Sequence, residues 1–146
     1  MELKTISPCL SVSPQIMPED IAAIASDGFR AIICNRPDGE CADQASFADI
    51  KAAAESVGLN SHYIPVQPGK ISDDDVATFA DALRSADGPI LAYCRTGTRS
   101  AMLWSLSEAG KQPASDILAA TLAAGYDLSA VAERIANAEK TRKVPA

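Results

Sequence analysis

A short apolar run followed by a polar, glycine-containing loop constrains this chain more than any other feature. The run covers residues 89–93 and predicts a buried strand. It leads directly into Cys94-Arg95-Thr96-Gly97-Thr98-Arg99-Ser100, and apolar residues then recur at helical spacing. A tight loop between a strand and a helix that begins at Ser100 surrounds its own side chains with backbone N–H groups and the positive end of the helix dipole. The loop is therefore predicted to bind an anion beside the sulfur of Cys94.

Cys94 is the candidate nucleophile, because N–H donors around a sulfur favour its thiolate form. A buried structural cysteine would also suit a strand end, but the five following residues are polar or glycine and favour catalysis. Arg99 can bind an oxyanion through two parallel hydrogen bonds. Gly97 allows a positive φ or a close approach, and Ser100 can cap the helix and donate to the Cys94 sulfur. The predicted anion-binding loop comprises Arg95, Thr96, Gly97, Thr98, Arg99 and Ser100, with Arg95 towards solvent or the rim.

Length and charge narrow the class of protein. A chain of 146 residues with an apolar fraction of 47% fits one globular domain, which we assign to residues 1–140, with 141–146 as a loose tail. The net charge of −6 argues against nucleic acid and anionic membranes as partners. No apolar run has the length of a signal peptide or a membrane span, so we expect a cytoplasmic protein. The predicted anion-binding loop indicates a small anionic substrate. The four cysteines and one histidine show no metal-ligand spacing, and no cofactor or metal is expected.

Strand-like and helix-like segments alternate up to the cysteine loop, and three helical segments follow it. This order predicts an α/β domain with a mostly parallel central sheet of four to five strands, flanked by helices, and a helical carboxyl-terminal half. Ligands bind such sheets at the carboxyl ends of the strands. The Cys94 loop and the turn at residues 35–40 should therefore lie at the same edge.

That turn contains candidate rim residues. Arg36, Asp38 and Glu40 are predicted either to line the mouth of the site or to be solvated charges of a Pro-Gly turn. Cys34 ends the preceding strand and Cys41 follows the turn. Either thiol is a candidate to resolve an oxidised Cys94, although packing in the core is the ordinary role of a residue such as Cys34.

Two families share the motifs of this chain. Residues 94–100 resemble the active-site loop of rhodaneses, whose cysteine carries a persulfide, whereas Tyr63-Ile64-Pro65-Val66 and the helical carboxyl half resemble tyrosine and dual-specificity phosphatases. Asn35-Arg36-Pro37-Asp38-Gly39-Glu40 and Ala92-Tyr93-Cys94-Arg95-Thr96-Gly97-Thr98-Arg99 resemble a bacterial phosphatase-like family that also occurs fused to metallo-β-lactamase-type persulfide dioxygenases, in beta-lactamase-hydrolase-like proteins. The resemblance covers about residues 3–125. It implies a cysteine-phosphatase-like fold, catalytic roles for Cys94 and Arg99, and such a dioxygenase as a partner.

Two departures from phosphatases favour sulfur chemistry. Four residues separate Cys94 from Arg99, where phosphatases have five, and residues 67–71 lack the acidic residue that protonates a leaving alkoxide. The main hypothesis is therefore a rhodanese-type sulfurtransferase that moves a sulfane sulfur from a small anionic or persulfide substrate through a Cys94 persulfide. One alternative is a phosphatase that acts through a Cys94 phosphoenzyme. Another is a non-catalytic module for anion binding or thiol redox sensing.

Overall fold

The computed structural model of the chain describes residues 3–143, with side chains described as far as residue 138. Five strands form one sheet in the order β1-β2-β5-β3-β4. The strands are β1 (Lys4–Ser7), β2 (Leu10–Ser13), β3 (Ala31–Cys34), β4 (Asn60–Tyr63) and β5 (Ile90–Tyr93). Within residues 3–143, β1 and β2 form the one antiparallel pair and the other three pairs are parallel, so the predicted mostly parallel α/β sheet is confirmed.

The helices lie on both sides of this sheet. They are α1 (Ile21–Ser26), preceded by a 3-10 turn, α2 (Phe47–Ser56), α3 (Asp73–Ser85), α4 (Thr98–Glu108), α5 (Ala114–Ala123) and α6 (Ala132–Lys143). One apolar cluster joins α1 and α2 to one face of the sheet, and a larger one joins α3 to α6 to the other. All four residues of β5 are buried, because Ile90 and Ala92 enter the larger cluster while Leu91 and Tyr93 enter the smaller one.

Helix α4 begins two residues earlier than the sequence predicts. Gly97 is its N-cap with φ +96°, a left-handed conformation that lets the chain turn from the loop into the helix at once. The prediction that the helix begins at Ser100 is therefore wrong. Thr98 and Arg99 belong to its first turn, so the guanidinium of Arg99 projects from a helix and not from a free loop.

Helix α6 continues to Lys143, so it includes residues 141–143 of the predicted tail. Residues 144–146 lie outside the described part of the chain. Across residues 3–143, no helix combines the length and hydropathy needed to span a bilayer.

Candidate active site

The loops that follow β2, β3 and β5 meet at the carboxyl-terminal edge of the sheet, as the parallel order requires. Cys94 lies at the end of β5 and is 1% exposed. The backbone N–H of Gly97 donates to its Sγ over 3.0 Å. The loop thus folds back on the cysteine and places an N–H donor against the sulfur.

Arg99 reaches from the first turn of α4 to two acceptors on other loops. Its Nη1 donates to Glu40 Oε2 over 2.8 Å and to the carbonyl oxygen of Val66 over 2.9 Å. Its Nη2 donates to Glu40 Oε1 over 3.0 Å. The guanidinium is therefore fixed in plane and direction by three hydrogen bonds.

One edge of this guanidinium remains for a ligand. The contacts to Glu40 and Val66 engage both hydrogens of Nη1 and one of Nη2, and no protein oxygen in residues 3–138 accepts from Nε–H or from the second hydrogen of Nη2. Although burial opposes it, the hydrogen bond to Glu40 and the charge of Cys94 raise the pKa of Arg99. A planar pair of donors near the sulfur can bind an oxyanion through two parallel bonds.

Glu40 is shared by two arginines. In addition to Arg99, the Nε of Arg36 donates to Glu40 Oε1 over 3.0 Å. The hydrogen bond from Arg99 is the main reason that the pKa of Glu40 lies below its ordinary value of 4.5, and the contact with Arg36 adds to the effect. At neutral pH the carboxylate is ionised and held between two cations.

Asn35 joins the ends of three strands to α4. Its backbone N–H donates to the carbonyl of Tyr93 (2.8 Å) and its Nδ2 to the carbonyl of Ile64 (2.9 Å). The hydroxyl of Ser100 donates to Asn35 Oδ1 over 2.8 Å. The carbonyl of Asn35 accepts from Val66 N–H, and this fixes the segment whose own carbonyl holds the arginine of α4.

The predicted roles of Ser100 differ from those observed. Its hydroxyl is bonded to Asn35 and not to the Cys94 sulfur, and Gly97 is the N-cap in its place. Because α4 begins at Thr98, Ser100 is already inside the helix, and its side chain points at the neighbouring strand end. It connects the cysteine loop to the sheet.

Gly97 meets both conditions stated from the sequence, a positive φ and a close approach. An added Cβ would lie 2.2 Å from the hydroxyl oxygen of Tyr126, from the segment after α5. That hydroxyl donates to the carbonyl of Thr96 over 3.2 Å. Within the same segment, the hydroxyls of Thr96 and Thr98 lie 3.0 Å apart. The loop is therefore supported from outside by an aromatic side chain that the sequence did not identify as part of the site.

The site opens into a cavity of about 380 Å³ lined by Arg36, Glu40, Cys41, Pro68, Arg95 and Arg99. Arg95 is exposed, as predicted. The other predicted rim residue, Asp38, does not line this cavity, because its Oδ1 accepts from the backbone N–H of Phe47 at the start of α2. Within residues 35–40, Arg36 and Glu40 thus belong to the site, whereas Asp38 binds the first turn of α2.

The two other cysteines near the site differ in accessibility. Cys34 is buried, donates to the carbonyl of Arg36, and has a pKa raised chiefly by burial, so it is a poor nucleophile. Cys41 is exposed at the mouth of the cavity and donates to Asp43 Oδ1 over 3.0 Å. Of the two, Cys41 is the better placed to meet a reagent that enters the site.

The sequence indicated Glu40 as a possible rim residue but not as the partner of Arg99. Sequence reasoning missed the amide of Asn35 and the side chain of Gln15, which accepts from Arg36 Nη1 over 3.1 Å. Each is polar and follows a strand at the edge where the loops meet, and that position was the available signal. Within residues 3–138, no group of three His, Cys, Asp or Glu side chains is placed to hold a metal ion.

A family model and a curated relative are similar in sequence to most of this chain. A family model described as "Beta-lactamase hydrolase-like protein, phosphatase-like domain" matches residues 2–111. A beta-lactamase hydrolase-like protein from Agrobacterium fabrum is 35% identical over 132 residues, which are 89% of this chain and 31% of that protein. The chain thus spans about a third of the length of this curated relative.

Solved structures show the same fold. A candidate phosphatase from Neisseria meningitidis is 40% identical with a TM-score of 0.85, over 94% of this chain and 99% of that one. TpbA from P. aeruginosa, solved in complex with pTyr, is 13% identical with a TM-score of 0.68, over 99% and 91% of the two chains, and this likeness concerns the fold alone. The family model matches most of the chain, and the curated relative and the strand–loop–helix site agree with this match. The chain therefore belongs to the phosphatase-like domain family of the beta-lactamase hydrolase-like proteins.

Proposed function

We propose that this chain is a cysteine-dependent phosphatase that hydrolyses small phosphomonoesters. The observation that carries the proposal is the pairing of a sulfur that accepts an N–H bond from its own loop with an arginine whose free edge remains available to an oxyanion. The Cys94 thiolate attacks phosphorus and the bond to the leaving oxygen breaks, giving a phosphocysteine. Water then attacks phosphorus, the S–P bond breaks, and inorganic phosphate leaves as the thiolate is regenerated. Arg99 binds two phosphoryl oxygens in both steps.

Two lines of similarity support phosphate as the anion. The family is named for a phosphatase-like domain, and the Neisseria meningitidis structure, described as a candidate phosphatase, covers nearly the whole chain at 40% identity. The mostly parallel sheet and helical carboxyl half match the fold of TpbA, solved in complex with pTyr. These likenesses favour phosphoryl transfer over the sulfur transfer first inferred from the loop.

The geometry restricts which esters would react. Glu40 is the one carboxylate that lines the cavity among the described residues, and its two arginines keep it ionised. Asp73 is the first acidic residue after the loop that follows β4 and stands at the start of α3. Its carboxylate accepts a hydrogen bond from Arg134. Without a protonated acid beside the leaving oxygen, we expect aryl phosphates to be better substrates than alkyl phosphates.

Sulfur transfer is the second candidate, and the length of the loop favours it. Four residues between Cys94 and Arg99 make a smaller cradle than five, and a thiolate or sulfite leaves at neutral pH without a proton donor. In that reaction the Cys94 thiolate takes one sulfur atom from thiosulfate, sulfite leaves, and an acceptor thiol removes the sulfur. A metallo-β-lactamase-type persulfide dioxygenase would then be the partner.

One experiment separates the two reactions. The purified chain and its Cys94→Ser variant are incubated with an aryl phosphate or with thiosulfate, and products and intact protein mass are measured. Phosphate release with a phosphorylated Cys94 supports the phosphatase. A chain one sulfur atom heavier, with sulfite released and no phosphate, would replace it with the sulfurtransferase. If neither product forms, the third hypothesis remains, namely a module that binds anions or senses oxidation without catalysis.

A further inference from the structure

We propose that Arg36 and Glu40 are positioning residues, which hold Arg99 in the orientation that binds the transferred group, and that Arg36 does not bind this group itself. The inference rests on the proposed function, in which Arg99 binds the anion. It gives a specific role to Arg36, which the sequence suggested either as a residue at the mouth of the site or as a solvated charge of the turn.

Arg36 lines the cavity, but its hydrogen bonds are made to other side chains of the protein. Its side chain is 6% exposed, although it lies in a turn rich in proline and glycine. Its Nε donates to Glu40 and its Nη1 donates to Gln15 Oε1, so two of its three nitrogens are engaged by protein. The Nε–Nη2 edge, which in Arg99 meets no protein oxygen among residues 3–138, is therefore occupied at Nε in Arg36 and cannot bind an oxyanion through two parallel bonds.

Gln15 closes these contacts into a ring. Its side chain accepts from Arg36, and its backbone N–H donates to the carbonyl of Arg95 in the cysteine loop over 3.3 Å. The ring therefore runs from Gln15 through Arg36 and Glu40 to Arg99, and back through the loop to Arg95. Each side chain in it is held from two sides, and the three loops that follow β2, β3 and β5 are joined. Such a ring fixes the position of a guanidinium better than one ion pair does.

Charge explains why a second arginine is needed. Alone, the carboxylate of Glu40 would hold Arg99 in place but also neutralise it and repel an entering anion. With Arg36 on the same carboxylate, two positive charges face one negative charge. Arg99 then keeps both its orientation and a net attraction for an anion. The low exposure of the two arginine side chains, 6% and 9%, limits screening by water.

The test compares two oxyanions on the whole chain by calorimetry. Inorganic phosphate measures simple anion binding, whereas orthovanadate becomes five-coordinate on the Cys94 thiolate and resembles the transition state of phosphoryl transfer. The variants are Glu40→Gln, Arg36→Lys and the double variant. Asp43→Asn is the control, because it removes the same charge from the same loop without a hydrogen bond to either arginine.

We expect the preference for vanadate over phosphate to fall about tenfold in Glu40→Gln and in Arg36→Lys, and to be unchanged in Asp43→Asn. Because a lost charge affects both anions alike, this ratio reports the orientation of Arg99. The double variant should lose no more of this preference than the single variant with the larger loss, because both residues act through one ring.

Other results would overturn the inference. If Arg36→Lys weakens phosphate and vanadate equally, or if the losses add in the double variant, Arg36 binds the anion directly. An unchanged ratio in both single variants would also refute a positioning role. Phosphate binding with the expected ratios but no hydrolysis would refute the phosphatase and leave the positioning role standing. A wild-type chain that binds neither anion would refute both.

Discussion

Glu40 and Arg99 are 59 residues apart in the sequence, yet each oxygen of the carboxylate accepts from one terminal nitrogen of the guanidinium, at 2.8 and 3.0 Å. The pair is formed between the loop after β3 and the first turn of α4. The opposite edge of the guanidinium meets no protein oxygen among residues 3–138, and the guanidinium interacts with the sulfur of Cys94. Most effects of substitution at this site follow from that arrangement.

Replacing Arg99 by lysine should reduce kcat/KM for an aryl phosphate about 100-fold. One ammonium group cannot donate to both oxygens of Glu40 and to the carbonyl of Val66 while it also presents two parallel donors to the substrate. Steady-state kinetics measure the loss, with the exposed Arg84→Lys on α3 as control. Undiminished turnover at low substrate would show that backbone N–H groups alone bind the anion.

The Cys94→Ser variant should be inactive while its melting temperature stays within a few degrees of the wild type. The hydroxyl oxygen can still accept from the N–H of Gly97, but it is a far weaker nucleophile than a thiolate at neutral pH. Turnover and thermal unfolding are measured on the same preparation. If most activity remained, the accessible Cys41 would be the next nucleophile to test.

Gly97→Ala should destabilise the fold by about 3 kcal/mol and lower activity. The new Cβ would be forced to a positive φ and would lie 2.2 Å from the hydroxyl oxygen of Tyr126. Gly69→Ala is the matched control, because that glycine also has a positive φ but open space at its Cβ, and about 1 kcal/mol is expected. Urea unfolding measures both. Equal losses would mean that the contact with Tyr126 is unimportant.

The contribution of Glu40 to stability should depend on pH. Its pKa is lower in the folded chain than the ordinary 4.5, so its stabilisation is complete above that value and is lost as the pH falls through the folded pKa. The difference in unfolding free energy between the wild type and Glu40→Gln should be largest near pH 7 and should decrease as the pH is lowered from 4.5 towards 3. A difference that is constant across this range would show that the charge of Glu40 does not matter.

Asn35→Asp should be strongly destabilising although the two side chains have the same shape. The new oxygen would face the carbonyl of Ile64, where the amide now donates, and a charge would be added at a position that is 0% exposed. An unpaired buried acceptor costs about 1–3 kcal/mol, and the charge increases this loss. Unfolding at pH 7 and pH 4 tests the explanation, because protonation of the carboxylate should restore part of the stability.

The sequence predicted the parts of the site that are local. Cys94, Gly97 and Arg99 share one loop and its helix, so their proximity follows from chain connectivity. The start of α4 was misplaced because a left-handed glycine can serve as an N-cap without any side-chain signal.

The parts that depend on packing between loops could not be predicted. From the sequence, Arg36 and Glu40 could either line the site or be solvated charges of the turn. Their contacts with each other and of Glu40 with Arg99 depend on the order of β3 beside β5. Asn35 likewise has the composition of a turn residue, but the neighbouring strand ends supply acceptors and a donor that bury it completely. The sheet was predictable from alternating segments, whereas its strand order depends on contacts between distant segments.

The central position of β5 has a consequence for biosynthesis. Hydrogen bonds join it to β2 on one side and to β3 on the other, and Leu10 at the start of the chain pairs with Ile90. A nascent chain therefore carries β2 and β3 out of the ribosome long before the strand that completes them. Until then the thiols of Cys34 and Cys41 are present in a chain that cannot yet form the loop of Cys94. The candidate site is thus completed only when β5 joins the sheet, and a chain that ends before β5 would expose the edges of β2 and β3.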